Sequence, residues 1–457
     1  MSITLKCILV MLVLSIFFAG CGQGNGGGAA TGSSGTADGG ASPAGEANVA
    51  GDDSFELVLY IETPQIPEAV FDHHFDDFTT ATGNTVLTIR MPSDQWMSNL
   101  AVLISGGHTL DVMFMNGQDV RGLRARGLIQ DMNDLVDFWD RFYEPAVYQY
   151  TFDGRRIAVP AGGANSSGVY YNRDILEQFG LEPPRNFDDL INMRNVLDGS
   201  GISVFGFGGA TIYMWPMWYF NTLAQTSGNN AVDRTIEALR GQAQFTEPDF
   251  VEAMEILGTF GAENLFQVGV NGALQPQGQA VFSTGHSAMF FGGTWALTPF
   301  REAGMGDEVG MISFPIVVNN PGVFSEQTGS NASHGISLFH EIDGADRSTA
   351  ALALIDYISS DEKVEERLLA GTGAMTSNIN VIRQDVDPLI NNVVIPELLP
   401  TTNMFLDWIW PPEVVTAFQH QIQAVVGGQT TAQEAMEYIQ SVFDDLVAAG
   451  YDFDATE

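Results

Sequence analysis

The sequence predicts an α/β protein built from two wound lobes. Three observations predict it. Apolar residues make up 45% of the 457-residue chain, enough for a large core. Between Glu56 and Met115, short apolar runs of strand length alternate with amphipathic helix patterns, the mark of right-handed βαβ units on a parallel sheet. A second alternating series begins near Gly168, and no internal repeat relates it to the first.

Lys6 is the single positive charge ahead of an apolar run from Cys7 to Phe18. About a dozen residues cannot cross a hydrocarbon core of roughly 30 Å, so residues 1–20 read as an export signal. Ala19-Gly20-Cys21 resembles the bacterial lipobox, with Phe18 where Leu is usual. That resemblance implies that Cys21 is lipidated and becomes the mature N-terminus; an ordinary cleaved signal is the alternative. Residues 21–53 then form a tether. Their Gly, Ala, Ser, Thr and Asn cannot bury enough surface to fold, and as a coil they would reach about 30 Å.

Glu56–Ile61 has the pattern of a buried strand. Pro67 opens a helix with Val70, Phe71, His74, Phe75 and Phe78 on its apolar face, and Gly83 ends it. A strand at 85–90, a helix at 94–104 and a strand at 110–115 complete the first series. The second series has a strand near 168–172, a helix capped by Asn186 and a strand at 202–208. Later strands are expected at 287–293, 309–315 and 334–339, with a helix at 349–358. The last helix begins at the capping-box pattern Thr430-Thr-Ala-Gln433 and buries Met436, Ile439, Phe443 and Leu446.

Charge narrows the function. Lys and Arg number 18 against 56 Asp and Glu, a net charge of −38, which repels phosphate backbones and excludes nucleic-acid partners. The only two cysteines, Cys7 and Cys21, precede the folded body. The body therefore has no disulfide, thiolate metal site or catalytic thiol. His73-His74 beside Asp76-Asp77 is a poor metal site, because His74 falls on the apolar face while His73 faces solvent. The Gly206-Phe-Gly-Gly209 run lacks the Lys-Ser/Thr of a phosphate loop. No cofactor and no metal is expected.

Four stretches carry a family resemblance. Phe152-Asp-Gly-Arg-Arg-Ile-Ala-Val-Pro160 precedes Gly168-Val-Tyr-Tyr-Asn-Arg-Asp-Ile-Leu-Glu-Gln-Phe-Gly-Leu-Glu-Pro-Pro184 and Asn186-Phe-Asp-Asp-Leu190. Phe282-Ser-Thr-Gly-His-Ser-Ala-Met-Phe-Phe-Gly-Gly-Thr-Trp295 follows, then Val425-Val-Gly-Gly-Gln-Thr-Thr-Ala-Gln-Glu-Ala435. Thr109-Leu-Asp-Val112 stands where the family has Pro-Asp-Val. In this order they resemble the extracellular solute-binding proteins of ABC importers, family 1, the carbohydrate-binding type related to maltodextrin-binding protein.

The resemblance implies a two-lobed periplasmic-binding-protein fold of type II, each lobe a wound, mostly parallel sheet flanked by helices. Crossings are implied near 160–166, 329–334 and 375–380. Residues 54–163 with 333–376 would form the N-terminal lobe, and 164–332 with 377–457 the C-terminal lobe. It further implies a monomeric, non-catalytic receptor, anchored by lipid to the outer or periplasmic face of the cell membrane. It would hand a sugar or oligosaccharide to ABC permease subunits. A surface glycoside hydrolase and a ligand-presenting sensor subunit are the alternatives.

Sugars need flat apolar plates for their C–H faces and planar polar groups for their hydroxyls. Trp295, in the Gly-Gly-Thr-Trp motif with Gly293, is the leading candidate contact. Trp215 and Trp218 lie where related proteins line the cleft. Asp407 and Trp408 precede Pro411-Pro412. Glu62 and Asn116 stand at carboxyl ends of strands, where α/β ligands sit. Gln95 and Trp96 open a helix, and Asn165 and Ser166 adjoin the first crossing.

Overall fold

The computed structural model describes residues 54–453 apart from 64–65, 67, 371–374 and 382–386, so the expected signal, Cys21 and the tether lie outside the described residues. The N-terminal sheet runs in the order 85–92, 56–63, 112–116, 334–338, 159–161. Its first three strands are parallel; 334–338 runs against both of its neighbours. Side chains alternate along Glu56–Thr63. Leu57, Leu59 and Ile61 enter one core, and Val58 and Tyr60 enter the core on the opposite face. Burial on both faces is why this strand reads as a continuous apolar run. Asp111, the acid of the Thr109–Val112 motif, is fully buried and structural. It accepts hydrogen bonds from the Arg347 guanidinium at 2.6–2.7 Å and from the Val58 N–H at 2.7 Å.

The C-terminal sheet runs 402–404, 327–330, 165–172, 287–293, 203–206, with 309–312 also paired to 165–172. This sheet is mixed, where the sequence predicts a mostly parallel one. Strand 165–172 enters straight from a crossing, so 287–293, 309–312 and 327–330 all run against it. Parallel pairing remains between 203–206 and 287–293, and between 327–330 and 402–404. The overall class, two wound α/β lobes, is the predicted one.

The chain passes from one sheet to the other at 161–165 and again at 330–334. A third segment lies against the first: the Ser377 N–H and hydroxyl both donate to Gly162 O, at 2.9 and 3.0 Å. Gln149 clamps the second crossing. Its carboxamide oxygen accepts from the N–H groups of Asn331 and Ala332, and its nitrogen donates to Ala332 O at 2.6 Å. The Tyr150 hydroxyl donates to the same carbonyl at 2.7 Å.

Two local expectations shift. The single helix expected after Pro67 is two short ones, Glu68–Phe71 and Asp76–Thr82, parted by a turn that keeps His74 buried and His73 exposed. The last helix, Ala432–Ala448, is capped one residue later than expected: Thr431 and Glu434 form the reciprocal box.

Candidate functional site

Strand ends gather where the crossings run. In the N-terminal sheet, Asn116 ends its strand opposite His334, and His334 also faces Ala161 at the start of the first crossing. Glu62 stands at the end of its strand, with His334 Nε2 3.7 Å from Glu62 Oε2. In the C-terminal sheet, Ser166 pairs with Gly329, and Ser167 with Gly293 at the end of 287–293. Both sheets thus present strand ends to the same crossings.

The C-terminal wall is aromatic. Trp295 is partly exposed and packs its six-membered ring over the Gly293 backbone, where any Cβ would collide with it. The Tyr170 hydroxyl donates to Gly293 O at 3.0 Å and holds that backbone in place. Phe405 lies 6.4 Å from the Trp295 ring, and Trp408 lies 5.2 Å from Phe405. Trp295, Phe405 and Trp408 therefore form a row, with Phe405 bridging two tryptophans that lie far apart in sequence.

Acids with raised carboxyls stand on the neighbouring segments. Asp407 precedes Trp408; its Oδ1 is buried and meets no hydrogen-bond donor among the described residues. Burial raises its carboxyl to about 7, opposed by its own backbone N–H. Asp119 lies in the first turn of the helix Gly117–Ala125. Burial first, then the charge of Glu62, raises Asp119 to about 8, against a smaller pull from Arg126. Burial holds His334 at about 3, a neutral imidazole, with Nδ1 2.8 Å from the Ser333 hydroxyl. Tyr213 of the C-terminal lobe is bonded to Gln275 and raised by burial to about 12; Glu62 of the other lobe adds to that rise. Near neutral pH, a protonated Asp119 both donates and accepts, as a sugar hydroxyl does.

Other candidates are placed differently. Asn165 donates to the Ser330 hydroxyl at 2.8 Å, its buried Oδ1 meeting no hydrogen-bond partner among the described residues, and the Ser166 hydroxyl lies 2.7 Å from that of Thr402. Both are beside the crossing. Asn116 caps a helix by accepting from Gln118 N. Trp215 and Trp218 depart from expectation: both are fully buried. Trp215 donates to Gly209 O at 2.9 Å, and Trp218 is ringed by Phe205, Phe207, Phe266, Phe291 and Phe314. Their i, i+3 spacing served core packing. Trp96 is likewise core, its ring tilted against Tyr60 at 4.8 Å, while Gln95 is exposed on the same helix. Asp119, Phe405, Tyr213 and His334 were not singled out as contacts. Asp119 had a legible signal, an acid in the first helical turn after a strand end.

Comparison with known proteins decides the family. Residues 62–365 match the bacterial extracellular solute-binding protein family. The chain belongs to that family. A binding protein of Brucella abortus is 23% identical to this solute-binding protein over 257 residues, 54% of this chain and 57% of the relative. The chain thus spans a little over half the length of that relative. A multiple sugar-binding protein of Streptococcus mutans is 22% identical over 175 residues, 36% of this chain and 40% of the relative. Among solved structures, a chitin oligosaccharide binding protein covers 86% of this chain and 99% of its own, with a TM-score of 0.75 at 20% identity. A solute-binding protein in complex with raffinose covers 85% and 99%, with a TM-score of 0.69 at 18% identity. These likenesses establish the two-lobed fold of this solute-binding protein.

Proposed function

We propose that this protein is a lipid-anchored extracellular receptor that captures a neutral sugar or oligosaccharide between its lobes and delivers it to an ABC importer. The observation that carries this reading is the row Trp295–Phe405–Trp408, with the raised carboxyls of Asp407, next to Trp408 in the chain, and Asp119, in the helix whose Gly117 meets the Trp408 ring. Flat rings cover C–H faces, and part-protonated carboxyls bond hydroxyls in both directions. An anionic ligand would meet the Glu62 charge that raises Asp119, a repulsion that enclosure strengthens. The printed ligands of its structural relatives, chitin oligosaccharide and raffinose, support the sugar reading. Permease delivery and anchoring through Cys21 rest on the family and on the lipobox-like sequence.

Capture requires no bond to break, and the receptor is non-catalytic. The hydrolase alternative has one observation in its favour: Asp119 and Glu62 pair a raised carboxyl with a charged neighbour. One experiment separates the two. The full-length protein is heated with each member of a panel of neutral mono- and oligosaccharides, and the sugar is then recovered. A receptor shows a raised melting temperature, about 2.7 kcal/mol of stabilisation at 100 times Kd, with the sugar intact. Shortened sugar would overturn the receptor reading.

A further inference from the structure

Gly117 is the first residue of the helix Gly117–Ala125, in the N-terminal lobe. Its φ is not positive, so its backbone suits any residue. Space is what demands glycine here. A Cβ at 117 would lie 2.5 Å from Cη2 and 2.8 Å from Cζ3 of Trp408, and 2.7 Å from the Tyr150 hydroxyl. Carbon atoms pack at about 3.5–4.0 Å, so the indole is seated directly on bare main chain. Trp408 belongs to the other lobe. It follows the strand Thr402–Met404 of the C-terminal sheet and packs against that lobe's core.

Both sides of this contact are anchored. On one side the Gly117 N–H donates to Ser333 O in the second crossing, at 3.1 Å, and Asn116 caps the helix through Gln118 N. On the other side Phe405 backs the indole at 5.2 Å, and Trp408 N donates to Phe405 O at 3.2 Å. A rigid plate from one lobe thus meets a rigid notch in the other. The contact adjoins both the crossing and the aromatic row.

We propose that Gly117 and Trp408 form a catch that sets how far the two lobes close, and that Trp408 is thereby a positioning residue for ligand capture. This rests on the reading that the lobes close around a ligand. With the lobes apart, the notch leaves the indole and the plate loses one wall. With the lobes together, the catch fixes the ring plane that the row Trp295–Phe405–Trp408 presents. Any side chain at 117 holds the lobes roughly 1 Å further apart at this point.

The test is hydrogen exchange on the full-length protein without ligand, alongside sugar titration. In Gly117→Ala, the segments 112–123 and 402–410 exchange several-fold faster while the core helix 248–262 is unchanged. In a Trp408→Ala background, Gly117→Ala adds much less, because only its contact with the Tyr150 hydroxyl remains. For the sugar that the wild type binds, Gly117→Ala weakens affinity about tenfold. Wild-type exchange at both segments would overturn the catch. An equal effect in both backgrounds would also overturn it, because the clash would then be with Tyr150 inside one lobe. Should Gly117→Ala not fold, Trp408→Ala alone decides: it speeds exchange at 112–123 if the catch exists and leaves it unchanged if not. A wild type that binds no sugar would contradict the carbohydrate reading and leave the exchange comparison to judge the catch.

Discussion

Among the tryptophans proposed as contacts, Trp215, Trp218 and Trp96 lie in cores, while Trp295 and Trp408 keep part of their surface open beside the crossings. The sequence alone separated these groups poorly. A tryptophan at helical spacing serves core and cleft equally, whereas one that follows Gly292-Gly293 at a strand end has little depth in which to hide. Asp119 offers a sharper residue-scale test. Its carboxyl is raised to about 8 in the fold, against an ordinary 3.8. A raised group stabilises the fold below its unfolded value and loses that contribution as pH climbs to the folded value. The ionised form is therefore a burden at pH 8 and absent at pH 4. Asp119→Asn should melt higher than wild type at pH 8 and equally at pH 4. Thermal melts across pH 4–9 measure it; a constant difference across that range would show that Asp119 titrates normally.

At the scale of elements, most strands were legible, because burial on both faces writes a continuous apolar run. Ser287–Gly293 coincides with its expected span, and Val112–Asn116 lies within two residues of it. Helix boundaries were harder. Thr430 and Thr431 are both good caps, and only the reciprocal bond with Glu434 chooses between them. The helix expected after Pro67 broke because His74 must reach the core while Asp76 and Asp77 start a new first turn. One prediction belongs here. Thr431→Ala should cost about 1 kcal/mol in chemical denaturation, and Thr430→Ala a few tenths at most. Equal costs would contradict the observed cap.

At the scale of the whole molecule, the crossings at 161–165 and 330–334 fall inside the spans that the family resemblance implied. They were legible only through that resemblance, because nothing in local propensity says that a strand leaves one sheet for another. The mixed second sheet was illegible for the same reason: strand direction depends on where the chain re-enters the lobe. Topology collects strand ends from both sheets at the crossings, and the proposed site draws its side chains from there. Phe405 joins Trp295 to Trp408 only in three dimensions, since 110 positions separate 295 from 405 in sequence.

On the proposed function, this row holds a neutral sugar between the lobes. Isothermal titration calorimetry of the wild type and Trp295→Ala, with the sugar that gives the largest thermal shift, tests it most directly. The wild type should bind at one site per chain with a negative heat-capacity change from ring burial, and Trp295→Ala should bind at least tenfold more weakly. Binding of equal strength in the two proteins would contradict it.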